Sequence, residues 1–157
     1  MATERKKGHF TFCTAAVFFF VTAVFELLGV GAPVPLFGEL RGGVVTVVYH
    51  LVFTVLFVAL GVGLWGARPW GYTLVFVVTA LYTLDKLQLL LSDTAMNAVV
   101  AQMYAEIEVS MPGIEKAIEA APVLQAIKLL LVLFVAGWWG FALYTRWRRD
   151  YFGRSGM

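Results

Sequence analysis

Four apolar runs, 10–31, 44–66, 70–91 and 123–145, decide what this chain can become. Each holds about 22 residues, and at ~1.5 Å of rise per residue a helix of that length crosses ~30 Å of hydrocarbon. Hydrophobic residues make up 61% of the 157 and charged residues only 14%. A soluble domain of this size buries too little surface to hide so much apolar material. The expectation is an all-α membrane protein, one integral membrane domain over 1–157. Its architecture is a four-helix transmembrane bundle with an outer amphipathic helix. A secretory signal peptide competes for the first run, but its apolar core would be ~7–15 residues. The run is longer and carries Glu26, and its one small-residue cleavage site, Val30-Gly31-Ala32, is followed by Pro33.

The connections carry the turn chemistry. Pro33, Pro35, Gly38, Gly42 and Gly43 separate the first two runs, and Ala67-Arg68-Pro69 joins the second and third as a tight antiparallel link. Segment 92–122 differs. Met96, Val99, Val100, Met103, Tyr104 and Ile107 recur at helical spacing, with Asp93, Asn97, Gln102, Glu106 and Glu108 on the other faces. Ser92 suits an N-cap, Pro112-Gly113 breaks the pattern, and Ile114 to Ala121 resumes it. The polar face is acidic, unlike helices that seek anionic lipid, so packing on its own protein or on a partner is expected. Pro122 fits the first turn of the last helix. A lone Cys13 rules out an intrachain disulfide and reads as a small buried residue, with S-palmitoylation as the alternative.

Short echoes relate Val21–Leu27 to Val78–Leu84 and Leu56–Ala59 to Leu133–Ala136. They fit a duplicated helical hairpin with an insertion, although chance repetition among few apolar residue types accounts for such short matches more readily.

Basic residues set the orientation. Arg5, Lys6, Lys7, Arg68, Arg146, Arg148, Arg149 and Arg154 fall on one side. The other side has Arg41, Lys86, Lys116 and Lys128 among eight carboxylates. Both termini are therefore expected in the cytoplasm, with Trp65, Trp70 and Trp147 as an interfacial belt. The basic tail is explained by topology, and no nucleic-acid module accompanies it. The stretch Gly61-Val-Gly-Leu-Trp-Gly-Ala-Arg-Pro-Trp-Gly71 resembles the inner hairpin of many small four-helix bacterial membrane proteins. That resemblance implies a bacterial inner membrane and no particular activity.

The chemistry-bearing residues share a depth. Counting along the runs, Glu26, His50, Asp85, Lys86 and Lys128 all sit ~8–9 Å beneath the outer boundary, with Tyr49, Tyr82, Gln88 and Gln125 nearby. Charges in hydrocarbon cost at least ~2.5–3.5 kcal/mol, so they pair or they function. Asp85 and Lys86 point ~100° apart on a helix, which suggests separate partners: Asp85 with Lys128, and Glu26 with His50 or Lys86. The bland reading is a neutral network joining the helices; the sharper one is a site for protons, an ion or a small polar substrate. A haem held by two histidines is excluded by the separation of His9 from His50, and one histidine without a usable cysteine makes zinc improbable. No phosphate loop or nucleophile elbow is present. Ala59-x-x-x-Gly63 and Ala136-x-x-x-Gly140 permit close helix contact, more often within a bundle than at a dimer seam. No cofactor or metal is expected. The favoured function is a non-enzymatic accessory or scaffold subunit. It would bind a membrane partner, or a second copy of itself, through 93–121 or a helix flank. The alternative is a small transporter or proton- or ion-coupled protein using the polar layer.

Overall fold

The computed structural model describes residues 7–110 and 120–153. It is mostly helical, 82% in five helices. The order is α1 (His9–Leu28), β1 (Val34–Leu36), β2 (Glu39–Arg41), α2 (Val44–Trp65), α3 (Pro69–Leu91), α4 (Asp93–Ser110) and α5 (Ala120–Trp147), followed by a 3₁₀ turn, Arg149–Phe152. Four of these, α1, α2, α3 and α5, are long and apolar enough to cross a membrane. Their outward faces keep the apolar side chains that a soluble fold would bury, such as Phe18, Leu28, Val55 and Leu143.

Helix ends follow the punctuation of the sequence. Pro69 stands at the start of α3, where its missing N–H costs nothing. Across the link, Arg68 N–H donates to the Gly63 carbonyl at 2.9 Å. Gly63 and Gly71 then bring α2 and α3 into backbone contact: a Cβ on Gly71 would lie 2.8 Å from the Gly63 carbonyl group. So Gly63 of the first small-residue spacing serves internal packing. Gly140 of the second has nothing within 4 Å of where its Cβ would be.

Three features depart from the sequence reading. First, the Pro/Gly-rich link holds a two-stranded antiparallel hairpin, pairing Val34 with Arg41 and Leu36 with Glu39. Pro35 is tolerated because both strands are edges. Second, the last long helix runs from Ala120 to Trp147, longer at both ends than 123–145, and carries Pro122 in its first turn. Third, the basic tail turns back. Tyr151 and Phe152 are buried in the main core, where Phe12 stacks on Tyr151 at 4.5 Å and the Tyr151 hydroxyl donates to the Leu64 carbonyl at 2.9 Å. Both described chain ends therefore lie at one end of the molecule, and the hairpin lies at the other.

The core has two parts. The larger is built on Phe12, Phe57, Leu60, Leu64, Val75 and Val78 from α1, α2 and α3. The smaller joins Leu89 of α3 to Ala95 and Met96 of α4, with Leu124 and Ile127 of α5 against them. Ser92 caps α4, its Oγ accepting from Ala95 N–H at 3.1 Å. The apolar stripe of α4 is thus spent partly on its own chain, with Met96 fully buried and Met103 left exposed. The expected break at Pro112-Gly113 and most of the resumed run 114–121 lie outside the described residues.

Candidate functional site

The polar residues at the hairpin end of the helices gather into one cluster of three elements and one separate pair. In the cluster, α1 brings Glu26 and α2 brings His50. Nδ1–H of the imidazole donates to Glu26 Oε2 at 2.7 Å. His50 is buried, and Gly29 leaves it room, since a Cβ there would come within 3.2 Å of the ring. With Nδ1 committed to the carboxylate, a neutral imidazole presents a bare acceptor at Nε2. That nitrogen is buried and has no hydrogen-bond partner among the described residues.

Helix α3 adds Asp85, Lys86, Gln88 and Tyr82. The expected Asp85–Lys128 pair does not form. Asp85 instead meets its sequence neighbour, Lys86 Nζ lying 2.7 Å from Oδ2. The 100° separation holds for the Cα–Cβ directions, but the four-carbon arm of lysine reaches around it. The same ammonium stands 5.0 Å over the ring of Tyr82, one turn earlier on the face of Lys86. Asp85 lies on the other flank with Gln88, whose Nε2 donates to Asp85 Oδ1 at 3.2 Å. From α2, the Tyr49 phenol approaches the Asp85 carboxylate. Gln88 also holds the hairpin: its Oε1 accepts from Phe37 N–H at 3.0 Å and its Nε2 donates to the Pro35 carbonyl at 3.4 Å.

Lys128 belongs elsewhere. It pairs with Asp93 at 2.8 Å, tying the first residue of α4 to α5. Only one residue, Ser92, separates α3 from α4, and Asp93 at the start of α4 stands beside Lys128. The lysine holds the exposed Asp93 carboxyl below the ordinary carboxylate range. Gln125 is exposed on α5 and joins neither group. Asp93, Pro35 and Phe37 are the contributors that the depth argument passes over. Asp93 had a readable signal, an acid one position past an N-cap serine; the hairpin contacts had none.

Between α2 and α3, beneath the hairpin, runs a groove of about 450 Å³. Its walls are apolar (Val52, Phe53, Leu56, Leu81, Leu84), Leu36 and Phe37 roof it, and Tyr49, Asp85 and Gln88 form its polar end. Among the described residues no three His, Cys, Asp or Glu side chains converge as a metal site would require. No family model, no curated protein and no solved structure matches this chain.

Proposed function

We propose that this is a multi-pass protein of a bacterial inner membrane whose four long helices form a transmembrane bundle. Both termini lie in the cytoplasm, and the hairpin and α4 lie outside. It acts without catalysis, as an accessory or scaffold subunit for a membrane protein partner. The observation that carries this reading is the mutual pairing of the charged side chains at the hairpin end: Glu26 with His50, Asp85 with Lys86, and Lys128 with Asp93. Paired polar groups leave little free charge for a substrate, and Glu26–His50 and Lys128–Asp93 also join one helix to another. A seat for the partner is available on α5. A cleft of about 220 Å³ is lined by Phe19, Leu133, Phe134, Gly137, Trp138 and Phe141. Gly137 and Gly140 are open beside it, with nothing within 4 Å of their Cβ positions.

A photo-crosslinking residue at Leu133, compared with one at the also exposed Val55 of α2, tests this in native membranes. A discrete protein adduct from position 133 alone, lost when Gly137→Leu fills the cleft, is the expected result. An adduct to a second copy identifies the partner as the chain itself. Lipid adducts alone from both positions would overturn the scaffold reading.

One observation favours the ion-coupled alternative, the unpartnered Nε2 of His50. Proton flux into dye-loaded vesicles that His50→Gln abolishes would establish it in place of the scaffold role.

A further inference from the structure

The α2–α3 groove combines three features. Its walls are open sideways, with Leu84 64%, Val52 51% and Leu81 42% exposed. Its polar end holds a carboxylate, Asp85, whose side chain is only 10% exposed, and the Lys86 ammonium, 22% exposed, pairs with it from outside the groove lining. The two charges stand 2.7 Å apart and cancel. A molecule that fills such a space has an apolar chain for the walls and a polar head for the ion pair. Its volume lies within the ~300–1,000 Å³ usual for ligand sites.

We propose that the groove binds an aminophospholipid, a lipid whose head joins a phosphate to a primary ammonium. Charge complementarity selects this head. A zwitterionic head laid in reverse order over Asp85–Lys86 sets its ammonium on the carboxylate and its phosphate on the lysine. The protein's ion pair then opens without leaving either charge alone. An anionic lipid lacking the ammonium draws Lys86 to its phosphate and leaves the Asp85 carboxylate with only the neutral Gln88 amide and Tyr49 phenol, so a largely buried charge loses its counter-ion. The lysine arm can make this turn because its head already lies near the surface, over Tyr82. The hairpin participates as well. Gln88 bonds Asp85, Pro35 and Phe37 at once, so a head that engages Asp85 bears on the roof above the chain.

This rests on the membrane placement of the four helices and is independent of the scaffold role. The full chain is reconstituted in vesicles of equal phosphatidylethanolamine and phosphatidylglycerol with identical acyl chains. Flotation with the vesicles reports insertion. Retained lipid is then quantified by native mass spectrometry after gentle detergent extraction. The expected result is one phosphatidylethanolamine per chain, enriched over phosphatidylglycerol by about tenfold, the discrimination of one charge-assisted hydrogen bond. Leu84→Trp, which fills the groove and leaves the polar end intact, is expected to abolish retention. The double variant Asp85→Asn/Lys86→Gln removes both charges together, so no ion is stranded if it folds, and is expected to erase the preference between the two lipids. An inserted wild-type chain that retains the two lipids in their bulk ratio, or prefers phosphatidylglycerol, overturns the proposal. So does undiminished enrichment in Leu84→Trp. Failure to float would instead refute membrane insertion.

Discussion

Glu26 and His50 are 24 positions apart in the chain and meet at 2.7 Å across α1 and α2. Both are largely buried, so each is the other's means of satisfying a group that hydrocarbon or packed side chains would not. Glu26→Ala and His50→Ala are each expected to lower stability by about 1–3 kcal/mol, the cost of a buried polar group left without its partner. A double-mutant cycle should then give a coupling of about 1–2 kcal/mol, read from reversible unfolding in mixed micelles. Simple additivity would show that the contact carries no energy. Lys128 provides the contrast. Its partner Asp93 is exposed, so Lys128→Ala is expected to lower the unfolding midpoint at neutral pH only slightly. It should, however, return the Asp93 titration, followed by carboxyl NMR, to the ordinary range near ~3.9. The sign follows from the lowered value: the pair contributes above the ordinary carboxylate pKa and is lost as pH falls through the lowered one. Depth along a helix is legible from sequence because it needs only a rise per residue. Partner choice is not, because it turns on helix rotation and on a few ångströms of side-chain reach. A count of residues therefore assigns a depth to Asp85, Lys86 and Lys128 but not their partners: Lys128 pairs with Asp93 and Asp85 with Lys86.

The hairpin shows what an element needs beyond its own residues. Its turn places Phe37 at φ 54 and Gly38 at φ 85, the pair of positive values that a tight hairpin demands. Glycine accepts this freely; a phenylalanine there costs about 1–2 kcal/mol. Two three-residue strands are marginal alone in any case. Two hydrogen bonds with Gln88, one from Phe37 N–H and one to the Pro35 carbonyl, anchor the hairpin to α3. Gln88→Ala is therefore expected to raise amide exchange at the backbone N–H groups of 34–41 about tenfold or more, at roughly 1 kcal/mol per lost bond. Exchange in α1 and α2 should stay unchanged. Equal exchange in the hairpin would show that the strands hold themselves. The four long helices could be read from the sequence because their apolar runs exceed any competing length. The strands could not, since Pro33, Pro35 and Gly38 give the same signal for a hairpin as for a plain loop, and the deciding residue lies 50 positions downstream in α3.

At the scale of the whole molecule, the start of α1 and the final 3₁₀ turn close on each other. Phe12 of α1 meets Tyr144, Tyr151 and Phe152 within 6 Å between ring centres, so the first helix and the final turn share one aromatic cluster. Arginines around Tyr151 and Phe152 make this stretch read as a solvated basic tail. Two aromatics within it show no periodicity, so their burial is visible only once the helices have brought Leu64 and Phe12 to the same end. Phe152→Ala is expected to lower stability by about 3–5 kcal/mol, as for other buried aromatics. Tyr151 carries a pH dependence of its own. Burial, with the neighbouring Cys13, pushes its phenol up to about 12. The folded state thus favours the protonated form, which also donates to the Leu64 carbonyl. The stabilisation is fully present below the ordinary phenol value of ~10 and is lost as pH rises from there through about 12. Alkaline unfolding in micelles, followed by near-ultraviolet circular dichroism, should therefore fall off more steeply above pH ~10 for the wild type than for Tyr151→Phe. That variant keeps the ring against Phe12 and loses only the ionisable hydroxyl. Coincident profiles would mean that the turn is already undocked before the phenol ionises, and that α1 and the turn do not close through Tyr151.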